Sequence, residues 1–227
     1  MNRQTAVLIF ANSSQGERKF KSFAKGDAFV EELNENILQT VKKSKLPYYL
    51  FTEKEQVGKS FGERFSNAIQ LVFEKGFDSV ITVGNDTPQL RKHHILEAAN
   101  EIDKNKCVVG PSIDGGFYLM GLSKKQFSEI SFLDLPWQTK SLEKTISLQF
   151  AATQTEVIKL DTLLDVDSTS DLKVLFNLSQ HISKKLLSIL SALLNANLSI
   201  SLTFQLFIGR WERKNYFNKG SPEFQAI

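Results

Sequence analysis

The sequence is poor in cysteine: Cys107 is the only one in 227 residues. A single cysteine excludes an intramolecular disulfide framework. Its apolar neighbours in "CVVG" predict a buried strand residue rather than a nucleophile. The apolar run at positions 6–11 is too short for a secretory signal, so we read it as a first strand and expect a cytoplasmic protein.

Neither sign of charge is in large excess. The chain carries 28 basic and 25 acidic residues, a formal net charge of +3, with no basic stripe that interleaves with aromatic side chains. This pattern does not predict nucleic-acid binding. A mild basic excess is compatible with an anionic small molecule as the ligand.

Several catalytic motifs are missing. The sequence has no GxSxG elbow, no HExxH and no paired CxxC. It therefore lacks the motifs typical of serine hydrolases and zinc enzymes. The loop "NSSQGERKF" matches neither the P-loop nor the GxGxxG fingerprint. The cations Arg18, Lys19 and Lys21, which follow Gly16, would nevertheless suit a diphosphate, although a solvated basic loop is the alternative. Adjacent His93 and His94 point to different sides of a helix, which predicts surface residues rather than a metal pair.

The one long stretch without charge, residues 186–209, does not have the composition of a transmembrane segment. Polar side chains such as Asn195, Asn197 and Gln205 interrupt it. Leucines at helical spacing followed by strict alternation from Leu198 predict a helix and then a strand. We therefore divide the chain into a domain over residues 1–180 and an extension over 181–227. We expect the extension to pack on the domain or on a second copy in a homodimer.

Strand and helix patterns alternate through the first two thirds of the chain. Alternation of this kind predicts an α/β fold with a mostly parallel central sheet flanked by helices. After Cys107 a turn at residues 112–115 between two apolar runs predicts a hairpin. The predicted strands are 6–11, 48–52, 79–84 and 107–110, and the predicted helices are 29–44, 62–75 and 91–105.

Two acidic clusters stand out from this framework. Asp86 follows a buried strand, and Asp165, Asp167 and Asp171 lie together in "DVDSTSDL". Ligands of α/β proteins collect at the carboxyl ends of the strands, and Mg²⁺ or Mn²⁺ prefers carboxylate oxygens there. Aspartates from two strand ends could hold such a cation between them. Turn and helix capping is the alternative explanation for each cluster.

Four further segments, taken in order, carry a resemblance. They are "GNDTPQL", "GPSIDGGFYLMGL", "PWQT" and "DVDSTSDL", preceded by "VGKSFGERF". Together they resemble a bacterial glycosyltransferase-A-like family, a domain of unknown function related to arsenosugar-biosynthesis-type glycosyltransferases. The resemblance covers about residues 5–178 and is most specific in the Asp-Gly-Gly block.

The resemblance implies a nucleotide-diphospho-sugar transferase fold, with a nucleotide sugar or nucleoside triphosphate as donor, a small-molecule acceptor, and Mg²⁺ or Mn²⁺ as cofactor. It implies metal binding by Asp86 and Asp167, and a catalytic base at Asp114. The remaining implied sites are nucleotide or phosphate contacts by Gly16, Lys19, Arg64 and Asn85, and substrate contacts by Gly115, Gly116, Trp137 and Thr139.

Three functional hypotheses follow. The first is metal-dependent transfer of a sugar from a nucleotide-diphosphate donor to a small acceptor. The second is a nucleotidyltransferase on the same fold that releases pyrophosphate. The third is a degenerate member that binds without turnover, because Phe20 and Lys21 replace the Thr and Arg usual in the family's first loop.

Overall fold

The computed structural model describes residues 4–13, 16, 27–178 and 182–195. The strands are β1 (Thr5–Phe10), β2 (Tyr48–Phe51), β3 (Ser79–Val83), β4 (Cys107–Pro111), β5 (Phe117–Ser123) and β6 (Val157–Lys159). The helices are α1 (Asp27–Ser44), α2 (Phe61–Glu74), α3 (Lys92–Asp103), α4 (Lys124–Glu129), α5 (Leu142–Ala152) and α6 (Thr169–Asn177). Residues 184–195 are also helical and are labelled α7.

The strands form one six-stranded sheet in the order β2-β1-β3-β5-β4-β6. β1 pairs in parallel with β2 and β3, and β4 pairs in parallel with β6. β5 is antiparallel to both of its neighbours, because it returns from β4 through the predicted hairpin and then inserts between β3 and β4. The carboxyl ends of β1, β3 and β4 therefore lie at one edge of the sheet.

Apolar side chains cover both faces of the sheet. Successive strand residues point to opposite faces, so Leu8 packs with α2 and α5 while Val7 packs with α1 and α3. All five residues of β3 are buried. A sheet buried on both faces explains why its strands appear in the sequence as near-continuous apolar runs rather than as alternating ones.

A third apolar cluster ties α7 to the rest of the chain. Leu186 and Leu190 have no exposed surface and pack with Phe29 of α1, with α6, and with Val166. The Lys185 Nζ atom lies 2.5 Å from Oε2 of Glu32, a carboxylate on α1 that is itself buried. The described part of the C-terminal segment thus packs against the domain. The division at residue 180 and the homodimer remain predictions.

Most sequence-based expectations for the fold are confirmed. The predicted strands and helices through residue 178 are present within a few residues, and the α/β class with a mostly parallel sheet is correct. Cys107 is fully buried in β4, and this burial raises the pKa of its thiol far above its usual value. The strand predicted from Leu198 lies outside the described residues. Among the described helices, none combines the length and the apolar character that a membrane crossing needs.

The surface assignment of His94 was wrong. Its side chain is only 5% exposed, and its Nδ1 atom accepts a hydrogen bond of 3.1 Å from the Arg91 backbone N–H at the start of α3. Burial, and then the neighbouring His93, lower the pKa of His94 to about 4. The imidazole is therefore neutral near pH 7 and acts as a helix-capping acceptor.

Candidate active site

A cleft of about 630 Å³ opens at the carboxyl edge of the sheet. It begins beyond β1 at Ala11 and Asn12 and continues past the end of β3 at Asn85 and Asp86. Open parallel sheets bind ligands at this edge, where loops leave the strands and no helix covers their ends. The location agrees with the one predicted for the acidic residues.

The structure brings the two acidic clusters of the sequence together in this cleft. The Val166 backbone N–H donates to the Asp86 carbonyl oxygen at 2.9 Å. On the same two segments, the Thr87 hydroxyl donates to Asp165, and Gln89 Oε1 accepts from the Leu164 backbone N–H at 3.1 Å. These bonds join the loop after β3 to the loop before α6, although about 80 residues separate them in the sequence.

Apolar and acidic residues alternate along the second acidic loop, residues 164–167, and this alternation points its carboxylates into the cleft. Leu164 and Val166 are buried in the cluster below α7, whereas Asp165 and Asp167 line the cleft. Because successive side chains of an extended segment point in opposite directions, burial of the two apolar residues orients both aspartates. Asp171 lies farther on and accepts hydrogen bonds from the Ser168 and Asp167 backbone N–H groups at 2.7 and 3.1 Å. It therefore caps α6.

Asp165 is the most strongly perturbed carboxylate of the cleft. Loss of solvent, and then the charge of Asp86, raise the pKa of Asp165 to about 8. Hydrogen bonds from Thr87 and Ser112 oppose this shift, and the charge of Asp114 adds to it. Carboxylates that crowd in this way disfavour one another's ionised forms, and a cation between them would relieve the repulsion.

A network of asparagine side chains connects three elements beside the cleft. The Asn85 Nδ2 atom donates to Asn34 Oδ1 at 2.7 Å, and Asn34 Nδ2 donates to the Asn12 carbonyl oxygen at 3.2 Å. Asn85 itself is 7% exposed. The network connects α1 to the ends of β1 and β3, so it holds these two strand ends in register.

A tight turn after β4 orients Asp114. Its Oδ1 atom accepts from the Ser112 hydroxyl at 2.6 Å and from the Gly116 backbone N–H at 2.9 Å. Gly115 has φ +94°, and a Cβ atom at this position would lie 2.2 Å from the Lys140 carbonyl oxygen. Glycine is therefore required here both by the positive φ and by the close approach of the loop that carries Lys140.

Aromatic rings also line the cleft. The ring of Trp137 lies 4.9 Å from that of Phe61 and 5.1 Å from that of Phe65, measured between ring centroids. A Cβ atom at Gly62 would come within 2.6 Å of Trp137 Nε1, so only glycine lets the indole pack on α2. The Arg64 guanidinium lies 5.9 Å from the Phe61 ring centroid and also lines the cleft.

The remaining predicted site residues are distributed unevenly. Gly116 and Thr139 line the cleft, and the Thr139 hydroxyl donates to the Pro136 carbonyl oxygen at 2.7 Å. Gly16 is not part of the described cleft lining; it is buried against the carboxyl group of Glu53, which also accepts from Ser13. Lys19 lies outside the described residues. These residues keep the status of predictions.

The described residues supply an oxygen-rich set of candidate metal ligands. They contain no group of three or more His, Cys, Asp and Glu side chains placed to hold a metal ion by themselves. Asp86 and Asp167 both line the cleft, as their predicted role requires. Two carboxylates, with substrate phosphate oxygens and water completing the coordination, form a common arrangement for Mg²⁺. The donor set therefore fits a hard divalent cation.

Sequence reasoning did not select three residues that this geometry makes prominent. The alternation in "LLDVD" indicates that Asp165 points away from Leu164 and Val166, but its loss of solvent follows from the tertiary contact with the loop that carries Asp86 and Thr87. Asn34 carries no local signal, because its partners lie on distant strand ends. Lys140 lines the cleft, and its place beside Gly115 depends on a tertiary contact that no spacing predicts.

A family model supports the resemblance drawn from the motifs. Residues 39–139 match the family described as "Uncharacterized protein conserved in bacteria (DUF2064)". The predicted family resemblance is confirmed over this part of the chain. The match includes the Asp86 turn, the Asp-Gly-Gly block and Trp137.

Solved structures share the fold. A candidate nucleotide-diphospho-sugar transferase from Desulfovibrio desulfuricans G20 is 21% identical, with a TM-score of 0.73 over 86% of this chain and 98% of that one. A 4-diphosphocytidyl-2C-methyl-D-erythritol synthase from Anaerococcus prevotii DSM 20548 is 12% identical, with a TM-score of 0.50 over 75% and 95%. These likenesses establish a nucleotide-diphospho-sugar transferase fold.

One curated protein matches part of the sequence. The 2-phospho-L-lactate guanylyltransferase of Methanocaldococcus vulcanius is 29% identical over 86 residues, which are 36% of this chain. The matched region spans 39% of that protein's length. The names of these proteins describe nucleotide-using transferases.

Proposed function

We propose that the protein is a metal-dependent transferase that moves a sugar from a nucleotide-diphosphate donor to a small acceptor. The fold is the one found in a nucleotide-diphospho-sugar transferase candidate. The observation that carries the proposal is the hydrogen bond from the Val166 N–H to the Asp86 carbonyl oxygen. It brings two acidic loops to the same edge of the sheet.

In this proposal Asp86 and Asp167 hold Mg²⁺ or Mn²⁺. The bound cation would neutralise charge that develops on the departing diphosphate. The chain supplies the rest of the environment. Asn85, fixed through Asn34, shapes the floor on which the nucleotide rests, and Arg64 contributes a planar cation suited to phosphate oxygens.

Asp114 is the proposed general base. Ser112 and Gly116 both donate to its Oδ1 atom, so the carboxylate is oriented while Oδ2 accepts no hydrogen bond from the described residues. An oriented carboxylate with one open oxygen suits removal of a proton from an acceptor hydroxyl. Trp137 and Thr139 line the same cleft and would contact the sugar or the acceptor.

The partial similarity to a guanylyltransferase favours a second candidate function. In that reaction the protein would join a nucleoside monophosphate to a phosphorylated or carboxylated metabolite and release pyrophosphate. The same acidic loops and cation would serve both reactions, because each one stabilises a phosphate leaving group. The products distinguish them.

The test is product analysis with purified protein and Mn²⁺. Sugar donors based on UDP and GDP are compared with CTP and GTP, in the presence of a mixture of small hydroxylated acceptors. Release of nucleoside diphosphate supports glycosyl transfer, whereas release of pyrophosphate supports nucleotidyl transfer. Both products should vanish in Asp86→Asn. Metal-dependent nucleotide binding without any product would instead favour the degenerate member that binds without turnover.

A further inference from the structure

Two basic residues, Arg64 and Lys140, belong to the described lining of the cleft, together with four aspartates. Neither cation forms an ion pair with a described carboxylate. Arg64 lies on α2 with its guanidinium near the Phe61 ring. Lys140 lies instead on the loop before α5. A basic residue that lines a cleft and forms no ion pair with the described carboxylates is suited to bind an anionic group of a ligand.

Lys140 lies on the Asp114 side of the cleft. The contact between Gly115 and the Lys140 carbonyl is so close that an added Cβ would come within 2.2 Å. The Gly115 carbonyl oxygen also accepts from the Glu143 backbone N–H at 3.0 Å. These two contacts fix the backbone of the Lys140 loop against the turn that carries the proposed base. The acidic loops that would hold the metal and the donor diphosphate are formed by other segments.

We infer that Lys140 is a specificity-determining residue that binds an anionic group, a carboxylate or a phosphate, on the acceptor. This inference rests on the proposed function, because it takes Asp114 as the group that meets the acceptor hydroxyl. An acceptor that carries both a hydroxyl and an anionic group would be held at two points, by Asp114 and by Lys140. A neutral polyol lacks the second contact.

Anion binding can be measured without turnover. Lactate supplies a carboxylate, glycerol 3-phosphate supplies a phosphate, and glycerol is the neutral counterpart. Each is titrated by ligand-observed NMR against the full-length protein in EDTA buffer, which keeps divalent cations out of the site. Lys140→Gln removes the charge, and Lys144→Gln removes the charge of another exposed lysine, four residues later in α5.

Wild-type protein should bind at least one of the two anions more tightly than glycerol. Lys140→Gln should weaken that binding by about tenfold, as expected for loss of one charge-assisted hydrogen bond, while Lys144→Gln should leave it within about twofold of wild type. Which anion binds identifies the acceptor group. Equal binding of glycerol and both anions, or equal losses in the two variants, would overturn the assignment.

A separate measurement keeps this inference distinct from the proposed function. Melting temperature is recorded for wild type and Lys140→Gln with Mn²⁺ and nucleotide. An unchanged nucleotide-dependent shift in Lys140→Gln supports a role on the acceptor side, whereas loss of that shift assigns the lysine to the donor and overturns the inference. If no donor yields product, the proposed function fails, and the anion titrations still report on Lys140 independently.

Discussion

Leu186→Ala should weaken both the fold and the acidic loop of the cleft. Leu186 has no exposed surface and shares a cluster with Val166, whose neighbours Asp165 and Asp167 line the cleft. Truncation of a buried leucine to alanine costs about 2–5 kcal/mol, because it removes apolar contacts and leaves a cavity. For a chain of this size such a loss lowers the melting temperature by about 4–20 °C.

Differential scanning calorimetry measures the change, with Leu148→Ala as the matched control. Leu148 lies on α5 and is 61% exposed, so the same truncation should alter the free energy of unfolding by less than about 0.5 kcal/mol. The cavity below Val166 should also weaken Mn²⁺-nucleotide binding in Leu186→Ala. A Leu186→Ala protein that melts with wild type would refute the packing of α7. A chain truncated after Lys185 that keeps the oligomeric state and the melting temperature of wild type would refute it as well.

Three further substitutions test other parts of the structure. Gly62→Ala should displace Trp137 and shift its fluorescence toward that of a solvated indole, and an unchanged spectrum would contradict the contact. Gly115→Ala should strain a positive-φ turn and push away the Lys140 loop, lowering the melting temperature, which calorimetry can check. The folded-state pKa of His94 lies near 4, below its ordinary value of 6.5, so the unfolded state binds more protons between these values. The contribution of His94 to the free energy of unfolding should therefore be fully present above pH 6.5 and should be lost as the pH falls toward 4. Urea unfolding of His94→Gln should lack this part of the pH dependence.

Much of the sheet could be predicted because its strands are buried on both faces. Ser79–Val83 is an uninterrupted buried strand, and the glycines after Ser112 indicate the hairpin correctly. The helix after the second acidic loop was also predictable, since Ser168 and Asp171 form a capping box. Local chemistry determines each of these features, so the sequence displays them directly.

What could not be predicted depends on contacts between distant segments. The insertion of β5 between β3 and β4 follows from sheet pairing, which the hairpin alone does not determine. His94 is buried because it lies on the side of α3 that packs against the sheet. Its polar neighbours in the sequence indicate a surface residue instead. The meeting of Asp86 with the loop before α6 likewise depends on tertiary hydrogen bonds, which join Asp86 to Val166, Thr87 to Asp165 and Gln89 to Leu164.

The central claim is that Asp86 and Asp167 form a divalent-cation site that binds a nucleotide. The most direct measurement is Mn²⁺ binding followed by electron paramagnetic resonance, with UDP or GDP present. Wild-type protein should bind Mn²⁺ in a nucleotide-dependent manner, and Asp86→Asn and Asp167→Asn should each weaken it at least about tenfold, because each loses a charged oxygen ligand. Asp134→Asn, at an exposed position, should bind like wild type. Equal Mn²⁺ affinity in wild type and Asp86→Asn would contradict the claim.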